Sequence, residues 1–223
     1  MNKRKAPVTS IINFAIGILF LLFFISLGIT IALYVRPFYY IGMEQISEET
    51  GYSVAEIKEN YDTLIDWCSP FEKGDLSFPT LPASESGISH FKEVKVIFNL
   101  FFCFLFVTPL FLAGLIDIQE KRETFSYLFT APIVMCVLPL LVAIASAIDF
   151  NRIFVLFHEI VFRNDDWLFS YDEDPIIQFL PERFFMQCAL IIAVTVLLGA
   201  AVLLALYFFR KKKEVKKQPQ NMQ

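Results

Sequence analysis

Charge is missing from long stretches of this 223-residue chain, and histidine is nearly missing from all of it. Four runs contain no Asp, Glu, Lys or Arg: about residues 11–35, 96–116, 125–148 and 184–209. A helix needs roughly 20 apolar residues to cross a hydrocarbon layer, and each run reaches that length. Folding in water would require burying four helices that are apolar on every side. A chain this short, with 56% apolar residues, cannot do so. The same lack of charge counts against an ion channel or a proton-coupled transporter, which place ionisable groups at membrane depth. Cysteine is also sparse: Cys103, Cys136 and Cys188 fall within the runs and Cys68 alone lies in a loop. No intramolecular loop disulfide is expected, and no CxxC or other metal-binding cysteine spacing occurs. A G-x-S-x-G nucleophile elbow, an H-E-x-x-H pair and a glycine-rich phosphate loop are all missing.

What remains is an all-α membrane protein: four transmembrane helices with a small extracytoplasmic cap formed by two long loops. The whole chain is expected to form a single integral membrane domain, with outer loops at 36–95 and 149–183 and a tail at 210–223. Basic residues set the orientation. Lys3, Arg4 and Lys5 precede the first run, Lys121 and Arg122 sit in the short link, and Arg210, Lys211, Lys212, Lys213, Lys216 and Lys217 follow the last run. That puts 11 of the 19 basic residues, but only four of the 23 acids, on one side. By the positive-inside tendency both termini and the link face the cytoplasm. The basic tail suits anionic lipid headgroups, and nucleic-acid binding is a poor reading of it. The first run is too long for a signal-peptide core and shows no small-x-small site near Tyr34-Val35-Arg36, so it reads as an uncleaved anchor.

The outer loops carry the polar chemistry. Ser53-Val54-Ala55-Glu56 is a capping box, and Val54, Ile57, Tyr61, Leu64 and Ile65 recur at helical spacing. An amphipathic helix over 53–67 is expected, apolar side against the bundle or the lipid interface. A proline-rich extended stretch, Pro70 to Pro82, follows. In the second loop, residues 153–162 are β-branched and aromatic and read as a strand or membrane-surface segment rather than a continued helix. Trp167-Leu168-Phe169-Ser170-Tyr171 is an aromatic patch suited to the headgroup layer. Pro109, Pro132 and Pro139 are positioned to kink the spans.

The two histidines, His90 and His158, both fall just outside the charge-free runs and on the same side. Imidazole titrates near pH 6.5 and exchanges protons at neutral pH. Two of them meeting at headgroup height suit acid–base work on an ester. Two plainer readings stand beside this: loop histidines with satisfied hydrogen bonds, or zinc ligands. For zinc, His158-Glu159 lacks the second histidine of the known motif. Ser84, Ser86 and Ser89 read as turn and cap residues. Arg152, Arg163 and Arg183 lie near span ends, where each can hold a lipid phosphate, a carboxylate or an ordinary ion-pair partner.

The arrangement resembles the bacterial lipoprotein intramolecular transacylase family, Lit. The likeness rests on Ile88-Ser89-His90-Phe91-Lys92-Glu93-Val94-Lys95, on Phe157-His158-Glu159 with Trp167-Leu168-Phe169, and on Phe179-Leu180-Pro181-Glu182-Arg183-Phe184-Phe185. Asn60-Tyr61-Asp62 and Leu64-Ile65-Asp66 extend it into the first loop. The resemblance implies an enzyme of the bacterial cell membrane, with its active site on the extracytoplasmic face and no cofactor or metal. The implied partners are a diacylglyceryl-modified lipoprotein and membrane lipids. The implied activity moves the sn-2 acyl chain to the α-amine of the lipidated cysteine, leaving a lyso-form lipoprotein. His90 and His158 match the family's essential pair, and either suits the base. Arg163, Trp167, Tyr171 and Arg183 are the expected substrate contacts. The competing classes are a non-enzymatic scaffold or lipid-binding accessory protein, and an intermolecular acyltransferase or lipase.

Overall fold

A computed structural model describes residues 5–217; Lys3 and Arg4 of the basic N-terminus, and 218–223 of the tail, lie outside the described residues. Four helices are long and apolar enough to cross a membrane: α1 (Lys5–Tyr34), α5 (Glu85–Lys121), α6 (Tyr127–Ile148) and α8 (Glu182–Lys217). Between α1 and α5 come α2 (Pro37–Tyr40), α3 (Met43–Thr50) and α4 (Val54–Trp67). Helix α7 (Phe150–Val161) and a 3-10 turn at Pro175–Phe179 fill the second long loop. Every described element is helical. Pro109 lies inside α5, and Pro132 and Pro139 inside α6.

The described residues pack as two compact units, to both of which each long helix contributes. One unit comprises α1 up to Gly28, Phe104–Ala143, and α8 from Ile192. Its core joins Ile16, Leu21, Leu112, Leu128, Met135 and Val196. Several polar groups at its charged end pair with one another, because an unpaired donor out of water costs more than the hydrogen bond returns. Fully buried Gln119 donates to the Thr9 carbonyl (3.1 Å) and to Asn13 Oδ1 (2.5 Å), and Asn13 donates to Ser126 (2.8 Å). Arg210 pairs with Glu120, which also accepts from the Tyr127 hydroxyl.

The other unit comprises Ile29–Cys103 and Ile144–Ile191. Here α4 is the helix expected at 53–67. Ser53 caps it by accepting from the Glu56 amide at 3.2 Å, and its apolar stripe of Ile57, Tyr61, Leu64 and Ile65 is buried. Tyr61 stacks on Tyr39 at 3.5 Å, and the Tyr39 hydroxyl donates to the Phe179 carbonyl at 2.8 Å. The proline-rich stretch is extended and anchored from below. Asn60 donates to Thr80 (2.7 Å), and the Trp67 indole donates to the Gly74 carbonyl (2.8 Å). Ile176 and Phe179 of the 3-10 turn complete this core.

Residues 153–162 are not a strand. Asp149 has extended backbone and accepts from the Arg152 amide at 2.9 Å, which ends α6 and starts α7 afresh. Phe150, Phe154 and His158 then fall at i, i+4 spacing on one helical face. That periodicity overrides the β-branched content, whose preference for strands depends on context. The second departure is the start of α5 at Glu85, eleven residues ahead of the charge-free run. His90 therefore sits inside a helix and not in a loop leading to one.

Candidate active site

Residue by residue, the second unit brings the two histidines together. Helix α5 begins at a cap supplied by Ser84, whose hydroxyl accepts from the Gly87 amide at 2.9 Å. Ser84 is held in turn by buried Asp174, which accepts from its amide (2.8 Å) and its hydroxyl (2.7 Å). Gly87 is required at this turn. A Cβ there would stand 2.2 Å from Asp174 Oδ1 and 3.1 Å from the Phe169 ring. One turn later His90 projects among Phe162 (4.6 Å between centroids), Phe169 (5.5 Å) and His158 (5.8 Å). The His158 ring is surrounded by Phe154 (4.1 Å), Trp167 (4.8 Å) and Phe162 (5.3 Å). Only 5% of His90 and 8% of His158 are exposed.

The hydrogen bonds separate the two rings. His158 Nδ1 lies 2.7 Å from the Phe154 carbonyl. A carbonyl only accepts, so Nδ1 carries the hydrogen and the lone pair resides on Nε2. His90 Nδ1 is buried with no hydrogen-bond partner among the described residues. Such a group leaves a free-energy penalty that an incoming polar ligand relieves.

Helix α5 is about 55 Å long, well beyond the roughly 30 Å of hydrocarbon, and its charge-free part starts at Val96. His90 lies ahead of that part, among Glu85, Lys92, Glu93 and Lys95. Burial pushes the His90 imidazole down to about 4, the neighbouring His158 adds to this, and Asp166 opposes it. Burial also lowers His158, while its bond to the Phe154 carbonyl works the other way. Both rings are thus neutral at neutral pH, and a proton on one disfavours a proton on the other. The folded pair binds fewer protons than the unfolded chain below the ordinary value of 6.5. Its contribution to stability is complete above that pH and is lost as pH falls toward 4. Side-chain nitrogen NMR of the purified protein, which has two histidines, should show two predominantly neutral imidazoles at pH 7.5. A cationic ring at that pH contradicts the burial argument.

Of the four other residues singled out in the sequence, Trp167 reaches the imidazoles. Arg163 is exposed, donating weakly to the Ile160 carbonyl (3.4 Å) at the end of α7, and Tyr171 is 69% exposed. Arg183 forms an ion pair with Glu49 at 2.8 Å. Ser84 is a cap, as expected. Sequence reasoning missed Phe162 and Phe169 as the surround, Asp174 as the anchor of α5, and Asn164 with Glu93. Asn164 donates to both Glu93 oxygens, at 2.9 and 3.1 Å. An asparagine in a turn carries no local signal of a carboxylate partner 71 positions away.

Known proteins share this architecture. The family model of the lipoprotein intramolecular transacylase Lit matches residues 14–185. The in meso structure of the membrane-integral Lit from Bacillus cereus is 30% identical and superposes with a TM-score of 0.88, covering 95% of this chain and 99% of that one. A variant of the same protein with a histidine changed to alanine superposes at 0.85, with 30% identity over 96% and 98% of the two chains. An uncharacterized protein of Aquifex aeolicus (strain VF5) is 26% identical over 125 residues, and the match spans 56% of either chain. Fold and family model together define a four-span membrane acyltransferase. The chain belongs to the family of lipoprotein intramolecular transacylases, Lit.

Proposed function

We propose that this chain moves the sn-2 acyl group of a diacylglyceryl-cysteine lipoprotein onto the α-amine of the same cysteine, with His158 as general base. The observation that carries this reading is the pair of buried imidazoles whose ring centroids lie 5.8 Å apart. The substrate amine titrates near 7.7–8.0, within reach of an imidazole base during attack. Its nitrogen bonds to the ester carbonyl carbon while His158 Nε2 takes the proton. His90, whose Nδ1 has no protein partner, hydrogen-bonds the reacting ester and steadies the oxyanion. The bond to the glyceryl sn-2 oxygen then breaks, and His158 returns the proton to that oxygen. An ester becomes an amide, no atom is gained or lost, and no co-reactant is needed. Amine and ester belong to one molecule, so positioning them supplies an effective molarity of roughly 10⁵–10⁸ M.

Trp167 is the binding residue favoured by its contact with His158. Arg163, Tyr171 and Arg183 are assigned to the surrounding lipid and headgroups. The excess of basic residues at the termini and link supports a cytoplasmic position for both termini and an extracytoplasmic one for the site. A synthetic diacylglyceryl lipopeptide with a free α-amine, incubated with the purified protein and followed by mass spectrometry, tests the reaction. The expected product has unchanged mass and one acyl chain on nitrogen. Loss of a fatty acid, or gain of one from added phospholipid, overturns the intramolecular assignment.

A further inference from the structure

The contact between Asn164 and Glu93 joins the turn that follows α7, the His158 helix, to α5, the His90 helix. Glu93 lies one helical turn beyond His90 on α5. The Asn164 amide donates to Glu93 Oε1 and Oε2 at 2.9 and 3.1 Å. Among the described residues no ion pair reaches Glu93 within 4 Å, so this amide is its polar partner here. The rest of Asn164 is equally committed. Its backbone carbonyl accepts from the Trp167 indole at 2.8 Å, and its side-chain oxygen accepts from the Asp166 amide at 3.2 Å. Trp167 lies against the His158 ring at 4.8 Å. Just before Asn164, Arg163 adopts φ 57°, a left-handed conformation that costs a non-glycine residue free energy. That turn takes the chain out of α7 and directs Asn164 toward α5. One side of this residue thus holds the His90 helix, and the other holds the ring that packs on His158.

We propose that Asn164 is a positioning residue that sets the distance and angle between the two imidazoles, acting through Glu93 on one and Trp167 on the other. The proposal rests on the histidine mechanism above only for its effect on rate; its structural content concerns the rings themselves. It also assigns Glu93 a role as anchor and not as acid or base.

The test uses the full chain, purified, with the diacylglyceryl lipopeptide. N164D sets a carboxylate against Glu93 and is expected to lower kcat about 10- to 100-fold with little change in KM, since a misplacement of about 1 Å costs that order of rate. The double variant N164D/E93Q reverses donor and acceptor, so the new carboxamide at 93 donates to the new carboxylate at 164. It is expected to recover kcat to within about threefold of the parent. Both imidazole resonances should move in N164D and return in the double variant, a readout independent of turnover. Wild-type kcat and unshifted resonances in N164D overturn the proposal. So does a folded double variant that recovers neither, and if N164D fails to fold, the double variant alone decides. If the parent itself performs no transfer, the acyl-transfer reading fails, and the resonances alone judge Asn164.

Discussion

Changing His158 to glutamine lowers the transfer rate about 10²–10⁴-fold, the range lost with a general base, while the protein stays folded. The physical reason lies in the two ring nitrogens. Nδ1 is occupied by the Phe154 carbonyl at 2.7 Å, and a glutamine amide can donate to the same carbonyl. Glutamine has no basic nitrogen to replace Nε2. Alanine is a less clean probe, because it also empties the space between Phe154, Phe162 and Trp167, and a void there costs packing energy of its own. Single-turnover conversion of the lipopeptide by the glutamine variant, with thermal unfolding in the same detergent, separates the two effects. Near-parental turnover would remove His158 from the base role.

Position 90 responds differently. Alanine there is expected to cost about 10²–10³-fold, the range seen on losing one oxyanion donor. Glutamine or asparagine should recover part of that loss, since an amide N–H can replace the imidazole as a donor. The contrast between positions is the test of the assignment: an amide rescues His90 and fails at His158. The opposite pattern, measured as kcat on the same substrate, would exchange the two roles. Either way the measurement reads chemistry, because His90 and His158 are similarly buried and lie in the same aromatic surround.

Much of this architecture is legible from local pattern. The charge-free runs correspond to long helices because a hydrocarbon environment admits no unpaired backbone group, and length with composition identifies such segments. Helix α4 was legible for a second reason, a serine cap followed by apolar residues at helical spacing. Residues 153–162 misled because β-branched and aromatic side chains favour strands only when a neighbouring strand exists to pair with. The early start of α5 was masked by Glu85, Lys92, Glu93 and Lys95, which interrupt hydropathy without interrupting a helix. Gly87 and Ser84 look like loop residues until Asp174, about 90 positions later, closes the first turn around them.

By itself, the sequence determined that this is a four-span all-helical protein. It also placed two histidines just outside the charge-free runs, in segments that resemble one family. Those conclusions depend on composition, periodicity and short motifs, all of which act over a few residues. Tertiary structure alone decided that the imidazoles meet at 5.8 Å, that the Phe154 carbonyl leaves His158 Nε2 as the basic atom, and that Asn164 reaches Glu93. The first and the last depend on distances between segments remote in the chain, which packing sets; the bond to Phe154 spans one helical turn and exists because 150–161 is a helix and not a strand.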